Sequence, residues 1–417
     1  MELKLSIDRL RVQKELDDLA EFSSVPAPAI CRVMLSDADM GAREFLISLF
    51  TDAGLEVRTD PAGNLFARWG GTKAELPAVA TGSHTDALPY SGKYDGTVGV
   101  LGGLEAIRAL KRCGFIPQRS IELIVFTSEE PTRYGVGCLG SRLLSGALPP
   151  SNADALKDEE GVSFAELRQR RGLVGSLADA KLAFGHYAAF VELHTEQGPL
   201  LEQVGLPIGV VTAIAAPSAI RVTYVGEGGH AGAVLMPDRR DALLAAAELA
   251  LETDRAARSS GSLDTVATMG LLKVHPGAVN AIPSSTYMEI DVRDVELRRR
   301  DQVLSHIEQT AKQIGDRRGM ETAIERINAD PPASCDPRVI AAIEIACKSA
   351  GLPNQQMISR AYHDSLFMAL ICPVGMIFIP CRDGVSHRPD EYASPEAIGS
   401  GVEVLARTLA HLSEAVS

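Results

Sequence analysis

Four short, strongly apolar segments separated by helical patterns constrain the fold of this chain more than any other feature. They lie at residues 78–82, 120–127, 188–193 and 374–379. Helical periodicity occupies much of the chain between and around them, most clearly at residues 9–22, 39–53 and 97–113. Strands that alternate with helices form parallel βαβ units, and helices cover both faces of such a sheet. The sequence therefore predicts an α/β fold built on a parallel-rich sheet.

The pattern changes after Val211. Strands are predicted at residues 220–225, 265–274, 286–292 and 321–328, and helices at 241–258 and 296–318. Their order, β-α-β-β-α-β, is that of a split-βαβ, ferredoxin-like α+β sandwich with an antiparallel sheet. Asp330-Pro331-Pro332 suits a hinge, and the first pattern resumes beyond it. We predict a catalytic domain in two parts, residues 1–212 and 331–417, interrupted by an inserted domain at residues 213–330.

Side chains that bind metals follow all four predicted parallel strands. They are His84, the pair Glu129-Glu130, His194 and His387. In open α/β sheets the functional crevice lies at the carboxyl ends of the strands, so these side chains should converge. Asp95 belongs with them because it lies in a Gly-rich loop just before the helix that starts near Thr97. Each of these residues alone is more often structural, and it is their joint placement that indicates a site.

Three imidazoles and two carboxylates can hold two divalent ions if one carboxylate bridges them. Asp95 would bridge, with His84 and His194 completing one shell and Glu130 and His387 the other. Two such ions would acidify a shared water and polarise a carbonyl oxygen. Glu129 is then free to carry protons, and Asp86 is placed to orient the His84 imidazole. The donor set suits Mn²⁺, Zn²⁺, Co²⁺ or Ni²⁺.

Five motifs resemble the dinuclear amidohydrolase family, which includes N-carbamoyl-L-amino-acid hydrolases, allantoate amidohydrolases and ureidoglycolate amidohydrolases and is related to aminoacylases and dinuclear exopeptidases. The motifs are residues 82–86, 92–96, 126–130, 192–199 and 382–387, and they span nearly the whole chain in order. The resemblance implies Mn²⁺ as the metal, Glu129 as the general base, and an inserted domain that closes over the site and forms a homodimer.

Three further segments, residues 126–133, 229–237 and 358–365, resemble the ureidoglycolate branch of that family. Typical carbamoylases instead carry Thr-Thr-Pro-Met after the His-Ala-Gly and glycines before the His-Asp. The resemblance implies cleavage of the ureido (carbamoyl) C–N bond of (S)-ureidoglycolate, a small anionic substrate. The products would be glyoxylate, ammonia and CO₂, in purine and allantoin catabolism. Tyr362 would narrow the pocket and add a hydroxyl donor.

The resemblance also implies contacts to the substrate. Arg293 and Asn280 would grip its carboxylate, since a guanidinium fork suits bidentate binding of a planar carboxylate. Gln197 would bind from the catalytic domain, and His230 of the partner subunit would stabilise the oxyanion. His363 could hydrogen-bond the substrate or serve the structure. By the period of two, Arg293 shares a strand face with other polar residues, and that face could also simply be solvated.

Composition limits the partners. The 417 residues carry 41 Lys and Arg against 54 Asp and Glu, a formal charge of -13, which argues against nucleic acid and anionic membranes. We expect no signal peptide or membrane helix, because no apolar run approaches the required ~20 residues. Seven cysteines without a C-x-x-C pair suit a reducing compartment, so we expect a cytoplasmic protein.

Other functions stay open. Within the enzyme class the alternatives are an N-carbamoyl-L-amino-acid hydrolase, an allantoate amidohydrolase or an aminopeptidase-like relative. An inactive dimeric binding protein is a different class. It would have lost Glu129 or a metal ligand, and all six positions are intact.

Overall fold

The computed structural model describes residues 3–414; residues 1–2 and 415–417, which the predicted domain ranges include, lie outside it. The described chain forms two compact units. Unit 1 comprises the chain up to Thr212, Cys335–Ser359 and the chain from His363 onward. Unit 2 comprises Ala213–Ser334 and Arg360–Tyr362.

The α-helices, in chain order, are α1 Arg9–Ala20, α2 Asp37–Asp52, α3 Thr97–Arg112, α4 Leu139–Ser145, α5 Pro150–Asp154, α6 Phe164–Arg170, α7 Leu200–Val204, α8 Ala242–Arg258, α9 Leu297–Arg318, α10 Pro337–Ala350, α11 Asp364–Met368 and α12 Pro395–Glu414. The strands are β1 Ile30–Arg32, β2 Glu56–Thr59, β3 Leu65–Trp69, β4 Ala78–His84, β5 Ala87–Ser91, β6 Ile121–Phe126, β7 Tyr187–Thr195, β8 Ile208–Ile214, β9 Ala216–Val225, β10 Gly229–His230, β11 Val266–His275, β12 Ala281–Ile282, β13 Ser285–Asp294, β14 Glu321–Ala329, β15 Ala333–Ser334, β16 Asn354–Ser359 and β17 Val374–Ile379.

The main sheet of unit 1 has four parallel strands at its centre, in the order β17-β7-β4-β6. Every residue of β4, β6 and β17 is buried, which explains why these strands appear in the sequence as mainly apolar segments rather than as alternating ones. Antiparallel strands extend the sheet on both sides: β8 pairs with β17, and β3 and then β2 follow β6. The predicted α/β class with a parallel-rich sheet is confirmed.

Helices cover both faces of this sheet. On one face α1, α3, α10 and α12 pack together, and the largest apolar core lies between them and the strands. On the other face α4 and α11 pack over a smaller core built around Phe126 and Phe190. Because helices cover both faces, the functional crevice is expected at the carboxyl ends of the strands.

Unit 2 has the predicted β-α-β-β-α-β order, made by β9, α8, β11, β13, α9 and β14. Its four-stranded antiparallel sheet runs β11-β13-β9-β14. Alternate residues of β13, among them Ile290 and Val292, are buried against α8 and α9, while the residues between them are half-buried. The first and last segments of this unit lie side by side, since Ala213 pairs with Ser334 and Ile214 with Ala333.

Two further features concern the environment of the chain. Within residues 3–414, no helix combines the length and the apolarity that crossing a bilayer requires. All seven cysteines are free thiols, and all of them except Cys113 are buried.

Candidate active site

The carboxyl ends of the central strands bring the predicted ligands of unit 1 together. His84 is the last residue of β4 and stands in register with Phe126, the last residue of β6, which Glu129 and Glu130 follow. On the next strand, His194 of β7 stacks against His84, with ring centroids 6.1 Å apart. His387 lies in the loop after β17, and Asp95 in the loop before α3. Residues far apart in sequence therefore share one edge of the sheet.

One candidate metal group is formed by His84, Asp95 and His194, all of them buried. The Asp95 Oδ1 atom lies 3.2 Å from His194 Nε2 and 3.8 Å from His84 Nε2. Two imidazole nitrogens and one carboxylate oxygen at this spacing are the donors that a divalent transition metal prefers.

A second group is formed by Asp95, Glu130 and His387. Here it is the other oxygen, Asp95 Oδ2, that lies 3.0 Å from His387 Nε2, and this nitrogen lies 3.5 Å from Glu130 Oε1. The two oxygens of Asp95 therefore face two different groups, which is the arrangement a bridging carboxylate needs. The residues present fit two divalent ions.

A third group of possible ligands, Glu192, His194 and His363, is occupied by hydrogen bonds. The two Glu192 oxygens accept from the hydroxyls of Ser83 at 2.8 Å and Ser365 at 2.6 Å. His363 Nε2 lies 3.0 Å from the Ser359 hydroxyl, and its ring packs 4.5 Å from that of His194. His363 is thus buried beside a predicted ligand, where it supports that imidazole.

The imidazoles of the first group are turned so that Nε2 faces Asp95. His84 Nδ1 lies 3.0 Å from the Asp86 carbonyl oxygen, and His194 Nδ1 lies 2.9 Å from that of Thr195. A carbonyl can only accept, so Nδ1 carries the hydrogen and Nε2 is left for a metal. The Asp86 carboxylate also accepts from the backbone N–H groups of Glu129 and Glu130, each at 3.1 Å. Through these hydrogen bonds Asp86 connects the carboxyl end of β4 to the loop that follows β6.

Glu129 is buried but belongs to neither metal group. Its Oε2 lies 3.8 Å from His84 Nε2, and its Oε1 accepts a hydrogen bond from the Cys138 thiol, with sulfur and oxygen 3.6 Å apart. Burial raises the pKa of the Glu129 carboxyl well above its usual range, and the charges of Glu130 and Asp95 add to this. A carboxyl with a raised pKa that faces the metal groups is suited to accept and return a proton.

The carboxylates and imidazoles of this cluster shift one another's pKa values. Burial opposes ionisation of Asp95, but hydrogen bonds and charge from His194 and His387 outweigh it and keep the Asp95 pKa well below its usual range. The hydrogen bond to Asp95 raises the pKa of His387 to about 9, and burial raises that of Glu130 to about 7. Metals would have to displace these protons, since metal ligands bind in their deprotonated form.

Gln197 lies within this cluster. Its side-chain amide donates to Asp95 Oδ2 at 3.0 Å and to the Ser386 hydroxyl at 3.2 Å. Its backbone has a positive φ of 55°, an uncommon conformation for a residue other than glycine. The structure thus shows Gln197 in contact with Asp95.

The other predicted substrate contacts lie in unit 2, in two groups. His230 and Asn280 are neighbours, because β10 pairs with β12 and the Ala231 N–H donates to the Asn280 carbonyl at 2.9 Å. Arg293, at the end of β13, is paired with Asp291 at 3.0 Å, and its guanidinium lies 5.9 Å from the centre of the Tyr362 ring.

Sequence reasoning missed several residues that hold the site together. They are Cys138, Glu192, Ser386 and Glu391. Glu391 follows His387 by four residues in the polar stretch Arg388-Pro389-Asp390, where no apolar pattern distinguishes a buried side chain from an exposed one. The spacing from His387 is the one signal that could have pointed to Glu391.

Comparisons with known proteins place these residues in a family context. The model of "Peptidase family M20/M25/M40" matches residues 80–411. A ureidoglycolate hydrolase of Oryza sativa subsp. japonica is 54% identical over 98% of this chain and 85% of that protein. An N-carbamoyl-L-amino acid amidohydrolase of Geobacillus stearothermophilus is 38% identical over 97% of this chain and 98% of that protein. Solved structures of AtUAH, in complex with (S)-hydroxyglycine and with glyoxylate, are 52% identical, with a TM-score of 0.90 and 98% of both chains covered.

Proposed function

Because the chain belongs to peptidase family M20/M25/M40, we propose that it is a hydrolase that cleaves the carbamoyl C–N bond of (S)-ureidoglycolate in purine and allantoin catabolism. The observation that carries this proposal is the similarity of the chain, over nearly its whole length, to a ureidoglycolate hydrolase. AtUAH was solved with (S)-hydroxyglycine and with glyoxylate, which are the amine product of such a cleavage and the compound into which that product decays.

The metal centre would hold two divalent ions. His84, His194 and Oδ1 of Asp95 would hold one, and Glu130, His387 and Oδ2 of Asp95 the other. We propose Mn²⁺, with Zn²⁺, Co²⁺ and Ni²⁺ as alternatives that the same donors accept. When bound, the ions would acidify a water molecule and polarise the ureido carbonyl.

Glu129 would carry the proton. It takes a proton from the attacking water, the resulting hydroxide adds to the carbamoyl carbon, and Glu129 then returns the proton to the leaving nitrogen as the C–N bond breaks. His230 of the partner subunit would donate to the oxyanion that forms on the carbonyl oxygen. The burial of Glu129 supports this role, because a raised pKa makes the carboxylate a stronger base toward the attacking water, and the carboxylic acid it forms can still protonate a more basic leaving nitrogen.

Arg293, Asn280 and Gln197 would bind the substrate carboxylate. Arg293 is already paired with a carboxylate, that of Asp291, and lies beside Tyr362. The Tyr362 ring beside the guanidinium supports a site for a small hydroxylated anion, which would have to replace Asp291 on Arg293 and to which Tyr362 and His363 would donate. The Gln197 amide donates a hydrogen bond to Asp95, so substrate would have to share or replace that contact.

We also propose a homodimer formed through unit 2, in the cytoplasm. Strand β11 is an edge of its sheet, and the apolar side chains of Val266 and Leu272 on it are partly exposed. Leu244 and Leu251 of α8 are exposed as well. An unpaired strand edge with apolar neighbours is a template for pairing with a second chain. The seven free thiols suit a reducing compartment.

Product analysis tests the proposed reaction. Cleavage yields carbamate, which falls apart to ammonia and CO₂, and hydroxyglycine, which decays to glyoxylate and a second ammonia. Enzyme loaded with Mn²⁺ should therefore release about two ammonia molecules for each glyoxylate. Glu129→Gln should bind the same amount of metal but lose about 10²–10⁴-fold or more in turnover, since it cannot carry the proton. Near-normal turnover by Glu129→Gln, or no release of glyoxylate by the wild type, would contradict the proposal.

A further inference from the structure

Glu391 is a buried carboxylate that connects two loops bearing predicted metal ligands. Only 5% of its surface is exposed, and both of its oxygens are engaged. Oε2 accepts from the backbone N–H groups of Tyr94 at 2.9 Å and Asp95 at 3.2 Å. Oε1 accepts from the Ser386 hydroxyl at 2.9 Å. The Glu391 side chain therefore hydrogen-bonds both to the backbone at Asp95 and to Ser386, the residue before His387.

Ser386 closes a ring of hydrogen bonds around Asp95. Its oxygen lies 3.3 Å from Asp95 Oδ2 and 3.2 Å from the Gln197 amide nitrogen, which donates to it. A hydroxyl has one hydrogen to give, and the shorter distance to Glu391 favours that acceptor. Glu391 thus fixes the orientation of the hydroxyl as well as the loop that carries it.

Gly92 leaves the room that Glu391 needs. A Cβ atom at this position would lie 2.3 Å from Glu391 Oε2 and 2.4 Å from Glu391 Cβ, closer than atoms that are not bonded can approach. The glycine three residues before Asp95 is therefore matched to a side chain almost 300 residues later in the chain. Such a match indicates that the loop before α3 is shaped around Glu391.

We propose that Glu391 is a positioning residue of the metal centre, which keeps the bridging Asp95 and the ligand His387 in a fixed mutual arrangement. The inference rests on the proposed two-ion site. Glu391 acts indirectly, since it contacts backbone N–H groups and a hydroxyl and none of the predicted ligand atoms. Positioning groups of this kind typically contribute 10–100-fold in metal affinity. The ion held by Glu130 and His387 should depend on it more than the ion held by the two buried histidines.

Metal binding by purified variants tests this inference. Mn²⁺ stoichiometry and affinity are measured by equilibrium dialysis, and the electron paramagnetic resonance spectrum distinguishes a coupled Mn²⁺ pair from isolated ions. Glu391→Ala should bind the second Mn²⁺ about 10–100-fold more weakly and lose the coupled spectrum. Gly92→Ala should behave in the same way, because it displaces the Glu391 side chain. Glu391→Gln should stay close to wild type, since its amide oxygen can accept from both N–H groups and its NH₂ can donate to Ser386.

Glu105→Ala is the matched control. Glu105 is also fully buried and accepts from a backbone N–H, that of Asp8 at 2.9 Å, but it lies in α3 and pairs with Arg112. Its loss should lower the melting temperature and leave Mn²⁺ binding unchanged. If Glu391→Ala keeps the wild-type Mn²⁺ affinity and spectrum, the inference about Glu391 is wrong, while the proposed metal centre is unaffected. Fewer than two ions in the wild-type chain would overturn the proposed metal centre, and the inference with it. If Glu391→Ala does not fold, Ser386→Ala decides by the same readouts.

Discussion

Asp95 is the residue on which the geometry of the site depends. Its two oxygens face different partners, His84 and His194 on one side and His387 on the other. Buried carboxylates are costly unless they are paired, and Asp95 is paired in every direction that the described residues show. A shorter or neutral side chain could not serve both groups at once. The two-ion proposal therefore depends on this single position more than on any one histidine.

Arg293 allows a test of substrate binding at the scale of one residue. Arg293→Lys keeps the charge but loses the fork that grips a carboxylate bidentately, so KM should rise about 10–100-fold, with kcat nearly unchanged. Arg221→Lys is the matched control, because Arg221 belongs to the same sheet and pairs with Glu289 and Glu325. Steady-state kinetics on both variants decide the matter. An unchanged KM in Arg293→Lys, or an equal rise in both variants, would contradict the assigned role.

At the scale of elements, the site depends on how closely β4 approaches β6. Gly82, two residues before His84, has a φ of 156°, and a Cβ there would lie 2.0 Å from the Ile124 carbonyl oxygen of β6. The strand must therefore carry a glycine at this position in order to bring His84 beside the residues that follow β6.

Gly82→Ala should force these strands apart. We expect a loss of about 1–3 kcal/mol of stability, seen as a lower melting temperature, together with loss of activity as His84 moves. Gly70→Ala is the control, because a Cβ at Gly70 meets nothing within 4 Å and its effect should stay within about 0.5 kcal/mol. Equal melting temperatures for the two variants would show that the close approach of the strands does not matter.

The sequence predicted many of the elements whose burial leaves a pattern, although the buried strand β8 and the amphipathic helix α12 were missed. The burial of the strand β13 alternates strictly, and the fully buried β4 and β6 are mainly apolar, so each was recognisable. The antiparallel strand β2 was missed because its four residues are mostly exposed and carry no such pattern. The short helices α4–α6, between Glu130 and His194, were missed because each is too short for its periodicity to register.

The residues of the site, like the elements, could be predicted only where the sequence pattern or the topology places them. His84, Glu130 and His194 could be predicted because the ends of parallel strands converge by topology. Glu391 and Cys138 could not, because they act through hydrogen bonds to residues that only the folded chain brings near. The pattern of apolar and polar residues along a chain indicates which residues are buried and whether the segment is a helix or a strand. It does not identify the hydrogen-bond partner of a buried polar group.

At the scale of the whole molecule, the acidic charge and an anionic substrate are compatible. The formal charge of -13 counts the ligand carboxylates as bare anions, and two divalent ions would bring it to about -9. Surface charges are screened over about 10 Å at ordinary ionic strength, so the field at the metals and Arg293 would dominate for a bound carboxylate.

The proposed exchange of His230 between subunits can be tested with a heterodimer. His230→Ala and Glu129→Gln should each be nearly inactive, because every site then lacks one of the two groups. A heterodimer purified with two different affinity tags has one complete site, built from Glu129 of one chain and His230 of the partner subunit, and should recover about half of the wild-type activity. A heterodimer as inactive as its parents would show that His230 serves its own chain or none.

The substrate itself is the central claim, and relative turnover tests it most directly. Enzyme loaded with Mn²⁺ is assayed for ammonia release from (S)-ureidoglycolate, allantoate and a set of N-carbamoyl-L-amino acids, and kcat/KM is compared across them. We predict that (S)-ureidoglycolate is preferred by at least about 10²-fold, because the pocket that Tyr362 is proposed to narrow would accept a small anion and exclude larger side chains. A higher kcat/KM for allantoate or for any N-carbamoyl amino acid would contradict the assignment.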